Sequence, residues 1–349
     1  MTKKMISLAS LGILLLIIGV AGGTFYYVKA DKQLSTHIKE DYQPKNKKAT
    51  DNLELTIAGD LNYRISQSDD AKFHVEGTTY SLDKNQKFDW KKSETDDTTK
   101  MELNFTKSKK KAPPIGVNFW ETDHQSVYLS IPKSYKTITI KGQKNSQVNL
   151  FEMTTDNLIL KNEGAHVTLA NSKLTTLDVK GHAAYLSLFD LKVEKELTAS
   201  NDSSTLDISN TKSPNIHLKN NDGEILASEV KGNLEVTTEN GDISLTEIKG
   251  PITATSQNGT LNWDGDHLED DASLTTINGD VFARFGNRPK NSSIKAKSQN
   301  GDITLFNKDT DHFKIKNAKH TLSIETSSGD IDVSSEGYED YDDELNDNF

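Results

Sequence analysis

The chain has no cysteine in its 349 residues. That removes disulfides, thiolate nucleophiles, Cys-ligated zinc and the lipid-modified cysteine of a bacterial lipoprotein together. Arginine is nearly as scarce, with Arg64, Arg284 and Arg288 its only instances. β-Helix lyases and hydrolases need clustered carboxylates, often with a basic partner, in a groove. The chain shows no recurring carboxylate pair outside its turns, no HExxH and no spaced histidine set. The expectation is a protein that is not an enzyme, with no catalytic residue and no cofactor. Net positive charge is lacking as well. The formal charge is −11, but residues 336–349 hold seven of the acids (Glu336, Glu339, Asp340, Asp342, Asp343, Glu344 and Asp347) and no Lys or Arg, so the remainder carries only −4. The basic footprint of a nucleic-acid binder is missing, and nucleic acid is set aside as a partner.

Long apolar runs are missing but for one. From Met5 to Val28 no residue carries a charge, and Leu14 to Ile18 is continuously aliphatic. About 20 residues suffice for a helix to cross a hydrocarbon core of about 30 Å. Residues 1–28 are therefore expected to be a short cytoplasmic stub and a transmembrane signal-anchor that meets the lipid bilayer through residues 5–28. Phe25, Tyr26 and Tyr27 would sit at the outer interface. A cleaved signal peptide ending at Val28-Lys29-Ala30 is the competing reading. The anchor would put the bulk of the chain outside the cell membrane. Residues 29–50, with Lys32, Lys39, Lys45, Lys47 and Lys48 and no apolar periodicity, read as a linker.

What the chain has instead is a repeat. The composition is polar, at 34% hydrophobic and 27% charged, which suits short alternating strands. Five turns share a signature: Asn240-Gly241-Asp242-Ile243, Asn258-Gly259-Thr260-Leu261, Asn278-Gly279-Asp280-Val281, Asn300-Gly301-Asp302-Ile303 and Ser328-Gly329-Asp330-Ile331. The apolar residue after each turn gives a register running Val148, Val167, Leu186, Leu206, Ile225, Ile243, Leu261, Val281, Ile303 and Ile331, in steps of 18 to 22 residues with a last step of 28. A second series, Leu158, Leu177, Leu197, Ile216, Leu234, Ile252, Ala272, Ile294 and Leu322, stands nine residues ahead of most marks. Within one coil, Leu234-x-Val236 and Ile243-x-Leu245 alternate with Glu235, Thr237, Ser244 and Thr246, so each coil has an inner and an outer face. Asn-Gly is suited to positive φ and to hairpins, which keeps an antiparallel meander open. A near-constant coil length favours stacking.

The reading is an all-β chain. Residues 138–335 are expected to form a β-solenoid, parallel β-helix-like, of roughly ten coils with about 19 residues each, preceded by one N-terminal transmembrane helix. Residues 51–137 read as an irregular β cap region, and 336–349 as an acidic disordered tail.

On these turns, in a Thr/Ser-rich β background behind a membrane segment, the sequence resembles a bacterial adhesin-like family. That family, formerly a domain of unknown function, includes LiaG-like membrane-anchored proteins encoded beside cell-envelope stress regulators. The match covers roughly residues 51–334. The resemblance implies a cell-surface location in a Gram-positive bacterium and a part in envelope-stress sensing or resistance, and it brings no catalytic motif with it.

Three local features are candidate sites. Asp242, Asp280, Asp302 and Asp330 would approach one another in a stack and form a carboxylate row open to Ca²⁺. Thr260 interrupts that row, so turn chemistry is the reading adopted, with Gly241, Gly259, Gly279, Gly301 and Gly329 as structural turn residues and no metal. Lys107, Lys109, Lys110 and Lys111, ahead of Phe119 and Trp120, would touch anionic lipid or teichoic acid near the anchor, or else cap the solenoid core. The tail would solubilise the chain or meet a cationic partner. The leading function is an anchored extracellular interaction module for a cell-wall polymer, anionic lipid or envelope protein. A carbohydrate-active β-helix enzyme and a passive surface spacer are the alternatives.

Overall fold

The computed structural model describes residues 3–46, 51–80, 87–106, 126–143 and 146–336. The basic and aromatic segment from Lys107 to Trp120 and the residues beyond Glu336 lie outside these residues. Among the described residues one helix, Lys3–Leu34, is followed by 27 strands in a single sheet. The helix has 32 residues and spans about 48 Å at 1.5 Å per residue. Ile13, Leu14, Leu15, Leu16, Ile17 and Ile18 on it are all exposed. Among the described residues no helix is long and apolar enough to cross a membrane. Side chains of the expected span are described only from Gly12 onward.

The alternating segments stack in parallel, in the register read from the sequence. Along one long face the apolar marks pair in the order Val127, Tyr63, Val148, Val167, Leu186, Leu206, Ile225, Ile243, Leu261, Val281, Ile331, Ile303. Along the other the second series pairs as Leu53, Ile138, Leu158, Leu177, Leu197, Ile216, Leu234, Ile252, Ala272, Leu322, Ile294. Period-2 alternation does the sorting. Leu234, Val236, Ile243 and Leu245 are buried, whereas Glu235 and Thr246 are exposed. Adjacent layers repeat at about 4.8 Å, so these twelve marks span about 53 Å.

The stack corrects two expectations. Residues 51–137 are only in part a cap, because residues 52–68 form a regular layer and Thr98–Thr106 with Ser126–Pro132 makes another, while the strands that cover the end are Phe73–Tyr80 and Lys87–Glu94. Nor is the chain order the stacking order at either end. Asn52–Ser68 lies between the layer formed by residues 98–106 and 126–132 and the layer formed by residues 137–143 and 147–151. His320–Ser335 likewise lies between residues 272–285 and residues 292–305. Each end of the stack is thus an excursion folded over a layer further out in sequence. An apolar strand pattern fixes which face a residue takes, but not which neighbouring layer it meets.

The outermost edges are covered by antiparallel strands. Lys87–Glu94 pairs with Thr98–Thr106, and Phe73–Tyr80 pairs with Ser126–Pro132. At the other end Lys308–Asp309 and His312–Phe313 do the same. Antiparallel covers satisfy the open hydrogen-bonding edge that a parallel stack would otherwise present. Part of the expected linker also joins the cap: Ser35–Tyr42 pairs antiparallel with Phe73–Tyr80. His74 ties this strand down, its Nδ1 2.8 Å from Asp41 and its Nε2 2.9 Å from Asp70. Behind it Tyr42, Phe73, Trp90 and Tyr135 form an aromatic cluster, with the Lys92 ammonium 3.6 Å over the Trp90 ring. Burial pushes the Tyr135 phenol up to about 12, and its hydroxyl donates to Thr99 Oγ1 at 2.8 Å. At the far end the Arg288 guanidinium lies 4.8 Å from the Phe306 ring and 4.7 Å from the Phe313 ring.

Candidate functional site

The repeated turn builds one corner of the stack, and each of its residues has a separate task. Gly241, Gly259 and Gly279 follow one another up the corner, continued by Gly329 and then Gly301. A Cβ on any of them would lie 2.0–2.1 Å from the carbonyl oxygen of the glycine in the layer beneath: Gly223 for Gly241, Gly241 for Gly259, Gly259 for Gly279, Gly279 for Gly329 and Gly329 for Gly301. None of the five has the positive φ that Asn-Gly suggested. Close approach of backbone to backbone is what demands glycine here.

After three of these glycines an aspartate reaches the next layer. Asp242 Oδ1 accepts from Thr260 N at 2.8 Å, Asp280 Oδ1 from Asp330 N at 2.8 Å, and Asp330 Oδ1 from Asp302 N at 2.9 Å. These carboxylates hold backbone N–H groups that the turn leaves without a ladder partner. The swapped end layers are what place Asp330 between Asp280 and Asp302. Among the described residues no group of three or more His, Asp or Glu side chains is poised to hold a metal ion.

The asparagines form a surface ladder. Asn278 Nδ2 donates to Asn258 Oδ1 and Asn258 Nδ2 to Asn240 Oδ1, both at 2.8 Å, and Asn240 Nδ2 donates to Asp222 Oδ1 at 2.6 Å. Just inside the same corner runs a buried polar column that sequence reading missed, Asn201, Asn220, Thr238, Ser256, Thr276 and Thr326, ending at the half-buried Ser298, with Asn162 buried further down the stack. Asn162 Nδ2 donates to Ala165 O at 2.6 Å and Asn201 Nδ2 to Ala184 O at 2.8 Å. Higher up, the hydroxyls of Thr276, Thr326 and Ser298 donate to Gly259 O, Gly279 O and Gly329 O at 3.1, 3.1 and 2.9 Å. The signal was present in the sequence. A Ser or Thr falls three positions before the Gly of each of the five turns, but alternation alone reads it as one more core position.

Elsewhere the outer faces carry exposed ion pairs such as Lys141–Glu54, Lys180–Asp178 and Lys297–Glu325. Pairs of this kind contribute little to stability. One outward carboxyl stands apart: Asp207, between Ser187 and Leu226 on its face, has its pKa raised by burial. Glu269, Asp270 and His267 line a small pocket with Ile248, Ile252 and Trp263; along the long faces the surface offers rows of side chains repeated at the layer spacing.

No curated protein matches the chain. Among solved structures, a protein of Clostridium sporogenes ATCC 15579, provisionally named for cell adhesion, aligns over 86% of this chain and 100% of its own, at 12% identity and a TM-score of 0.23. The model of the family described as Toastrack DUF4097 matches residues 50–334. With that match across the whole stack, the chain belongs to the Toastrack family.

Proposed function

We propose that the chain is a membrane-anchored, extracellular, adhesin-like interaction module that binds through the long outer faces of its stack and acts in the cell-envelope stress response of a Gram-positive bacterium. What supports the anchoring is the exposed aliphatic face of the helix Lys3–Leu34, where Ile13 to Ile18 stand 53–68% exposed; the helix as described does not meet the length and apolarity of a span, so a full crossing rests on the sequence. A continuous exposed aliphatic surface of this kind is stable when covered, and lipid covers it without any further protein. The sequence adds a run without charge from Met5 to Val28. For the binding role, the support is a rigid rod of flat faces on which side chains recur once per layer.

The absence of cysteine makes a clean test available. Thr255, outward-facing on its strand, is replaced by Cys in the full chain, and intact cells are treated with a membrane-impermeant maleimide. Labelling of intact cells, together with resistance of the chain to alkaline extraction from membranes, is the expected result. Labelling only after permeabilisation would refute the extracellular reading, and release by alkali would refute the anchor.

A further inference from the structure

Between its two long faces each middle coil runs along a short third side. It enters this side at a residue with left-handed φ: Glu152, Asn171, Asp190, Asn210, Glu229 and Glu247, at 41° to 56°. The next residue turns inward, as Ser172, Leu191, Thr211 and Val230 do, all buried. The residue after that faces solvent, and in five successive coils it is lysine. Lys173 pairs in register with Lys192, Lys192 with Lys212, Lys212 with Lys231, and Lys231 with Lys249. All five are exposed. At about 4.8 Å per layer they span about 19 Å.

Like charges placed directly opposite one another on adjacent strands are destabilising. Acidic neighbours do not relieve them, since no carboxylate lies within 4 Å of any of the five among the described residues. The nearest acids in the sequence are Asp190, Glu229 and Glu247 at the left-handed corner and Glu194 two residues beyond Lys192, and Asp190 already accepts a hydrogen bond from Asn210 at 2.5 Å. A second lysine row, Lys141, Lys161, Lys180 and Lys219, differs on both counts. Ser200 interrupts it, and Glu54 and Asp178 pair with two of its members.

We propose that the column Lys173–Lys192–Lys212–Lys231–Lys249 is a binding track for an extended linear polymer of phosphate groups. Each ammonium is a compact point charge suited to a phosphate oxygen. A polymer that offers one anionic group after another releases bound counterions as it lies along the column. A single phosphate gains only one such interaction. The inference rests on the reading of the stack as an interaction module and adds its short third side to the long faces as a contact surface, but it does not rest on where the membrane lies, so the labelling experiment and the one below can fail separately.

The full chain in detergent micelles is titrated with long-chain inorganic polyphosphate, with poly(glycerol phosphate) and with monomeric inorganic phosphate, at several salt concentrations. Variants carry Gln at all five column lysines, or at Lys141, Lys161, Lys180 and Lys219. The expected result is saturable binding of at least one of the two polymers and none of the monomer. Affinity should fall at least tenfold in the five-Gln variant and less than threefold in the four-Gln variant. In the five-Gln variant the slope of log affinity against log salt should shrink by about 3.5, or about 0.7 for each phosphate no longer neutralised. Which polymer binds more tightly distinguishes a condensed phosphate from a phosphodiester ligand. Failure of the wild type to bind either polymer, or equal weakening in the two variants, would overturn the proposal. A single Lys212→Glu change at the centre, with an unchanged circular dichroism spectrum, guards against misfolding of the multiple variant and should itself weaken binding more than fivefold.

Discussion

Replacing Gly279 by alanine tests whether the turn glycines are there for space. The new methyl would stand 2.1 Å from Gly259 O and 2.7 Å from its carbonyl carbon. Reaching an ordinary contact distance of about 3.4 Å requires the layers to part locally by about 1.3 Å. Retreat the other way is blocked, since Gly329 approaches Gly279 O so closely that a methyl there would itself stand 2.1 Å from that oxygen. Two hydrogen bonds cross the gap that would open, Thr276 Oγ1 to Gly259 O at 3.1 Å and Asn278 Nδ2 to Asn258 Oδ1 at 2.8 Å. Breaking them costs about 1 kcal/mol each, and the remaining backbone strain adds about 1–2 kcal/mol. The total of about 3–4 kcal/mol lowers the melting temperature of the stack by about 5–7 °C, given about 2.1 cal/mol/K of unfolding entropy per residue over residues 50–334. Gly265→Ala is the control, because its methyl would meet nothing nearer than Trp263 Nε1 at 3.4 Å. Thermal unfolding followed by far-ultraviolet circular dichroism reads both variants. If Gly279→Ala melts with the wild type, or no lower than Gly265→Ala, close approach is not the reason for glycine at this corner.

Three further outcomes are expected. Asp330→Ala should cost about 1–2 kcal/mol by leaving the Asp302 N–H without its acceptor, with Asp330→Asn recovering most of that stability because its amide oxygen can still accept; addition of Ca²⁺ should leave the melting temperature of the wild type unchanged, and a rise would restore the metal reading of the aspartate row. At the N-terminal cap, hydrogen bonds from Asp41 and Asp70 raise the pKa of His74, while the bond to His74 lowers that of Asp70. The imidazolium contribution is complete below its unfolded value near 6.5 and is lost as pH rises through the higher folded value, whereas the Asp70 contribution is present above about 3.8 and is lost as pH falls. Amide exchange across His37–Asp41, corrected for its intrinsic pH dependence, should therefore be slower at pH 6 than at pH 8.5 in the wild type and equal at the two in His74→Gln; a pH difference that survives the substitution would remove His74 as its cause.

Much of the fold can be read directly from the chain. The register from Val148 to Ile331 and its partner series from Leu158 to Leu322 are the rows the structure stacks, because alternation with a fixed return length allows few other ways to bury those residues. The lysine column is equally present in the chain, at steps of 18 to 20 residues, but a surface lysine in isolation says nothing, and only the pairing register makes the five neighbours. The role of Asp242, Asp280 and Asp330 was half legible: turn chemistry was expected, but which N–H each would hold depended on knowing the neighbouring layer.

Inner face, outer face and coil length are written in the chain, because each follows from local strand geometry repeated along it. The order of the layers is not. Which edge a segment pairs with depends on segments far from it in sequence, and local strand geometry does not specify that choice. So Asn52–Ser68 and His320–Ser335 lie inside excursions that close over them, Ser35–Tyr42 joins a cap that its charged, aperiodic sequence did not suggest, and the glycines of the repeated turn prove necessary for the distance between layers, which no single coil contains.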